Sequence, residues 1–192
     1  MEEFAELVRK ARSCRRFVED EPIGPDTLRK IVDCVRVASS AHNRQPLRYI
    51  AVSNAETRLQ LFAHTKWASS IGWGGPPPGE RPTGFIVILS TTQASMPVYY
   101  DTAIAAQTMQ LFATSLGLGC CMLNNFPRGP VRELFNIPED MEIMLLLAFG
   151  VPKEIRVLQE AHVGDNLLYW RDEHGVHYVP KLALEDVLYK ET

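Results

Sequence analysis

The stretch from Val98 to Leu116 constrains the fold most, because it joins several alanines to spaced large apolar residues, Ile104, Met109, Phe112 and Leu116. That composition predicts a mostly buried central helix, and its small residues let another backbone come close. The run Gly117–Leu118–Gly119 supplies its stop and a sharp redirection. A buried helix needs apolar layers around it. The sequence offers them as short strand candidates: RYIAVS (Arg48–Ser53), FIVILS (Phe85–Ser90), CCML (Cys120–Leu123) and the core strand Glu142–Phe149.

Four further segments carry helical periodicity. Phe4, Leu7, Val8 and Ala11 form one face of a helix over Glu3–Arg12, and Leu28, Ile31, Val32 and Val35 form a stripe behind Gly24 and Pro25 that should end near Ser39 and Ser40. A third helix, Glu56–Thr65, follows the capping candidate Asn54, and a fourth runs from about Pro127 to Phe135. The glycine- and proline-rich segment Ile71–Pro82 reads as a surface loop, either a lid or a simple connector that Trp73 anchors. Val151–Val179 reads as less regular, and Leu182–Tyr189 as a short terminal element. Alternating strands and helices predict a layered α/β protein, and no repeat or linker breaks the 192 residues into more than one domain.

Twenty Lys and Arg residues against 23 Asp and Glu argue against a nucleic-acid binder, which needs a concentrated basic footprint. The amino terminus is broken by charges, unlike a secretory signal, and the tract MEIMLLLAFG is too short for a membrane-spanning helix. A cytoplasmic location is the simplest expectation. Cys14, Cys34, Cys120 and Cys121 lack zinc-ribbon spacing, and the His174–His177 pair is interrupted by Gly175, so no metal is expected. The GLG run follows a helix instead of opening one, which excludes a Rossmann fingerprint.

Three clusters hold groups that suit a cofactor. In ARSCRRF, Arg12 and Arg15 offer guanidinium donors and Ser13 a hydroxyl, a set suited to phosphate or else an ordinary surface pair of arginines, with Arg16 able to point elsewhere. In SSAHNRQPLRYI, Asn43 and Gln45 each present donor and acceptor groups that suit the polar edge of a heteroaromatic ring, or else cap their own backbone. In GLGCCMLNNFP, the backbone amides of Asn124 and Asn125 can meet a cofactor edge, or simply form a turn after a strand.

Taken together, RSCRRF, SSAHNRQP, DTAIAAQTMQLFATSLGLGCCMLNNF and the terminal PKLALEDVLY resemble the nitroreductase family of flavin-dependent oxidoreductases. The resemblance implies an α+β fold with a central mixed, mainly antiparallel sheet flanked by helices. It also implies one domain over residues 1–192, with a lid-like loop around 67–84 and an extended C-terminal segment around 151–192. FMN is the implied cofactor, with Arg12, Ser13 and Arg15 at its phosphate and ribityl region and Ser40, Asn43 and Gln45 along the path to the ring. The Asn124 backbone would lie near flavin N5, beside Asn125, and Lys181 would be a further phosphate partner. Trp73 would shape the substrate lid, and no side chain would react covalently. The family's homodimers hold flavin between subunits, which implies a homodimer here, with Tyr169 and Trp170 either covering a partner or packing internally. The implied reaction is ping-pong transfer from NADH or NADPH to a small electron-poor acceptor such as a nitroaromatic or quinone. The alternatives are reduction of an activated alkene or a halogenated substrate, and a noncatalytic flavin-binding redox sensor. Ala11, Leu47 and Leu182 depart from residues frequent in the family, as does the Asn124–Asn125 pair.

Overall fold

The computed structural model describes residues 2–68 and 71–192. It divides into two compact units, one ending at Lys153 and the other spanning Glu154–Thr192. In the first, a four-stranded sheet is built from β1 (Leu47–Val52), β2 (Gly84–Ser90), β3 (Gly119–Leu123) and β4 (Glu142–Gly150) in the order β1-β2-β4-β3. Every neighbouring pair in it is antiparallel, with a register irregularity between Ile88 and Leu89. β2 is buried along its whole length.

Strand alternation sorts the core into two layers. Phe85, Val87 and Leu89 face a cluster with Leu146, Cys121, Leu61 and Val131, whereas Ile86 and Ile88 face one with Leu147, Phe149, Ile31 and Met109. On the first face lie α3 (Ala55–Ala63) and α5 (Arg128–Phe135), and on the second lie α2 (Pro25–Val35) and α4 (Met96–Ser115). The nine-residue α1 (Glu2–Lys10) leads into the first unit. Asn54 caps α3 as expected, its side chain accepting from the Thr57 N–H at 3.0 Å. α2 ends at Val35, short of Ser39, because Arg36 and Ala38 close the last turn and Ser40 is already extended.

The central helix α4 is less covered than its composition predicts. Small residues, Ala105, Ala106 and Ala113, line its buried side together with Met109, whereas Met96, Tyr99, Tyr100 and Ile104 are exposed. Its end is a Schellman motif: Gly117 takes φ +76°, its N–H donates to Thr114 C=O at 3.0 Å, and the Leu118 N–H donates to Ala113 C=O at 2.8 Å.

The second unit holds a three-stranded sheet of β5 (Arg156–Ala161), β6 (Trp170–Arg171) and β7 (His177–Leu182), followed by α6 (Leu184–Val187). β5 and β7 pair in parallel and β6 and β7 antiparallel, so the parallel pairing lies here and not in the larger sheet. Order in this stretch escapes periodicity because β5 is mostly exposed and carries no buried alternation. Tyr169 and Trp170 pack within the unit: Trp170 stacks on Tyr178 at 4.3 Å, and Tyr169 tilts against the buried His177. Among the described residues, no helix is long and apolar enough to cross a membrane.

Candidate functional site

The arginine–serine segment is fastened to the start of β3. Ser13 bridges Cys120 in parallel, and the Cys14 N–H donates to the Cys120 C=O at 2.8 Å. Gly119 permits this approach, since a Cβ there would lie 2.7 Å from the Cys14 Cβ. Arg12, Ser13 and Arg15 are half-buried on this segment, and Arg12 Nη2 donates to Val8 C=O at 2.8 Å. Arg16, next to Arg15, is engaged by a carboxylate. Its guanidinium forms a two-pronged pair with Glu80, which Lys153 also reaches at 3.3 Å. The Arg16 hydrogen bond is the main reason the buried Glu80 carboxyl is held below the usual glutamate value, although desolvation opposes it.

The Ser40–Gln45 turn is built differently. His42, Asn43 and Gln45 all adopt left-handed backbone, with φ of 53°, 53° and 49°. Asn tolerates that region, whereas His and Gln are strained there, so something must hold them. The fastener is Asp101 on α4, which is only 4% exposed. Its carboxylate accepts from Ser40 Oγ at 2.7 Å and from the Ala41 N–H at 2.8 Å, and Ser40 Oγ accepts in turn from the Gln45 N–H at 3.0 Å. Gln45 Nε2 donates to Asn43 Oδ1 at 3.0 Å. The exposed Asn43 and Gln45 side chains therefore form a braced pair.

Beside this turn an open cleft of about 160 Å³ is lined by Ser40, Gln45, Leu47, Arg48, Tyr49 and Asp101, among others. Burial, helped by the charge of Asp101, pushes the Tyr49 phenol above its ordinary value, so it stays a neutral donor. Asp101 is the residue that sequence reasoning passed over. A lone carboxylate inside an apolar helix was the signal that could have found it.

The Asn124–Phe126 turn follows β3 directly, and Asn124 and Asn125 are both exposed. Arg128, at the start of α5, braces it. Nη1 donates to the Asn124 C=O at 2.7 Å and to the Phe126 C=O at 2.9 Å, Nη2 donates to Asn124 Oδ1 at 2.5 Å, and the guanidinium lies over the Phe126 ring at 4.2 Å. From the other side, the Lys66 N–H donates to the Asn125 C=O at 3.1 Å.

The expected lid region around 67–84 includes residues 69 and 70, which lie outside the described residues. Much of the remainder is tied down. Trp67 is buried, Trp73 packs against the same core cluster, and Glu19 Oε2 accepts from the Gly79 and Arg81 N–H groups. Lys181 belongs to the second unit, exposed on β7 and in register with Glu160. Among the described residues no cluster of three or more His, Cys, Asp or Glu could hold a metal.

Ser13 and Asn124 are thus joined by one strand, whereas the Ser40–Gln45 turn is fastened to Asp101 on α4. β3 begins at Gly119, four residues past the end of α4 at Ser115, whereas Asp101 sits near the N-terminal end of α4. With a helical rise of about 1.5 Å per residue, Asp101 and Ser115 are about 21 Å apart. The donors of the first and third clusters, cations and hydroxyl at one end of β3 and an amide-bearing turn at the other, fit a phosphorylated heteroaromatic group.

The proteins to which this chain is similar are named for redox chemistry. The family model described as the Nitroreductase family matches residues 8–75 and 80–151. A protein of Archaeoglobus fulgidus named for NADH dehydrogenase and NAD(P)H nitroreductase is 28% identical over 169 residues, covering 84% of this chain and 92% of its own. The FMN reductase (NADPH) of Bacillus subtilis is 25% identical over 178 residues, covering 81% of this chain and 68% of its own. Among solved structures, a nitroreductase of Desulfovibrio desulfuricans in complex with FMN superposes with a TM-score of 0.68. That likeness covers 98% of this chain and 96% of the other at 21% identity, and so speaks to the fold.

Proposed function

The chain belongs to the nitroreductase family, and from that premise we propose that it is an FMN-dependent oxidoreductase acting between NAD(P)H and a small electron-poor acceptor such as a nitroaromatic or quinone. Bound FMN would supply the two-electron redox chemistry between nicotinamide and acceptor. The chain's own residues bind and orient. Arg12, Ser13 and Arg15 would grip the phosphate, and the Asn124–Asn125 backbone would meet the redox edge of the ring. By the family resemblance, Trp73 would shape acceptor access.

One observation carries this reading: β3 links a cationic segment at its start to an exposed, braced turn at its end. The rise from Cys120 to Asn124 is about 13 Å, within reach of a pentitol phosphate joined to a ring.

By the family resemblance the chain would pair with a second copy, with the flavin sites between the two subunits. The exposed Met96, Tyr99, Tyr100 and Ile104 on α4 form an apolar face that such a partner would cover.

Anaerobic absorbance spectroscopy of the FMN-reconstituted protein during addition of NADH or NADPH, followed by an acceptor panel, tests the reaction. Flavin bleaching and acceptor-dependent recovery are expected. A flavin that stays oxidised with both nicotinamides would overturn the proposal.

A further inference from the structure

Arg128 is placed where a helix disfavours it. It is the first residue of the eight-residue α5, at the positive end of the helix dipole, where a cation is unfavourable. Its contacts instead go to the preceding turn: two backbone carbonyls, one side-chain amide oxygen and one aromatic face. No carboxylate is among these partners, so the charge is directed at the turn.

The consequence follows from peptide geometry. The Asn124 C=O and the Asn125 N–H belong to one planar trans unit and point in opposite directions. A cation drawing the carbonyl toward α5 therefore turns the Asn125 N–H away from it. Hydrogen bonds to a carbonyl also polarise the N–H on the same unit, strengthening the bond it donates by about 10–30%. The next carbonyl, that of Asn125, is held by the Lys66 N–H at 3.1 Å, and the Phe126 N–H closes back on the Asn124 C=O at 3.2 Å. Both peptide planes flanking Asn125 are thereby fixed from the protein side.

We propose that Arg128 is a positioning residue for hydride transfer: by holding the Asn124 carbonyl it orients and polarises the Asn125 N–H as the donor to flavin N5. The inference rests on the FMN-dependent reaction proposed above and adds to it the residue that sets the donor. It also moves the principal donor from Asn124 to Asn125.

The test uses the full-length protein reconstituted with FMN, in wild type, Arg128→Met and Arg128→Lys. Three quantities are measured: FMN affinity, the single-turnover rate of flavin reduction by NADPH or NADH, and the two-electron midpoint potential. The carbonyls that lose their partner in Arg128→Met lie on an exposed turn, where water can replace the guanidinium, and the phosphate segment is untouched. FMN affinity is therefore expected to stay within about 3-fold of wild type. The reduction rate should fall about 10-fold or more as the donor loses its alignment, and the potential should drop because the polarised donor that favours the reduced ring is weakened. Arg128→Lys keeps the charge but cannot fork to three acceptors, so it should not restore the rate. A wild-type rate and potential in Arg128→Met, or full rescue in Arg128→Lys, overturns the proposal. A wild-type protein that binds FMN but is not reduced overturns the underlying reaction instead, and the two failures are read from different samples.

Discussion

Two turns in the first unit are each braced by one charged side chain, and the braces have opposite sign. At Ser40–Gln45 the brace is a buried carboxylate, Asp101, which consumes the Ser40 hydroxyl and the Ala41 N–H. At Asn124–Phe126 the brace is the guanidinium of Arg128, which consumes carbonyl oxygens. A carboxylate uses up donors and a guanidinium uses up acceptors, so the two turns are left with different backbone groups to offer a ligand. The first offers side-chain amides on a strained, rigid backbone, and the second offers N–H groups. Their burial differs as well, and so should the cost of removing each brace.

The largest effect is expected at Asp101. Asp101→Ala strands a hydroxyl and an N–H at a helix face and releases three left-handed residues, so denaturant melts should show a loss of about 3 kcal/mol. A loss no larger than that of Arg128→Met would erase the contrast between the buried and exposed braces.

Glu80 tests an intermediate case, a carboxylate with a 10% exposed side chain paired with a 31% exposed Arg16. Glu80→Gln should cost about 2 kcal/mol at neutral pH. The sign with pH is set by the lowered carboxyl: its contribution is complete above the ordinary glutamate value and is lost as pH falls through the folded value. The stabilities of wild type and Glu80→Gln should therefore converge on acidification, and a gap that persists below the folded value would deny the pair its role.

The smallest effect is expected at Ser40. Ser40→Ala removes one hydroxyl relaying Asp101 to the Gln45 N–H, worth about 1 kcal/mol. A double-mutant cycle with Asp101→Ala should show the two losses to be non-additive, as members of one network are. Additivity would mean that the hydroxyl and the carboxylate brace the turn independently.

Much of the fold was legible because the relevant physics is local. The short apolar runs of β2 and β4, the Asn54 cap, the Gly117 stop and the apolar stripe of α2 all follow from stretches of a few residues. β5 in the second unit was not legible, since it is mostly exposed and bears no apolar alternation. The same division runs through the site. The phosphate-type and amide-type residues could be named from composition, and even Arg128 lies only four residues from Asn124.

What the sequence determined by itself was most of the inventory: which segments of the first unit form helices and strands, and which side chains carry groups suited to a phosphate or to the polar edge of a heteroaromatic ring. What only the tertiary structure decided was the bracing. Asp101 meets Ser40 across 61 positions and Arg16 meets Glu80 across 64. Periodicity and capping report on neighbours along the chain, whereas these partners are chosen by how the helices and loops pack against one sheet, and no spacing of residues encodes that choice.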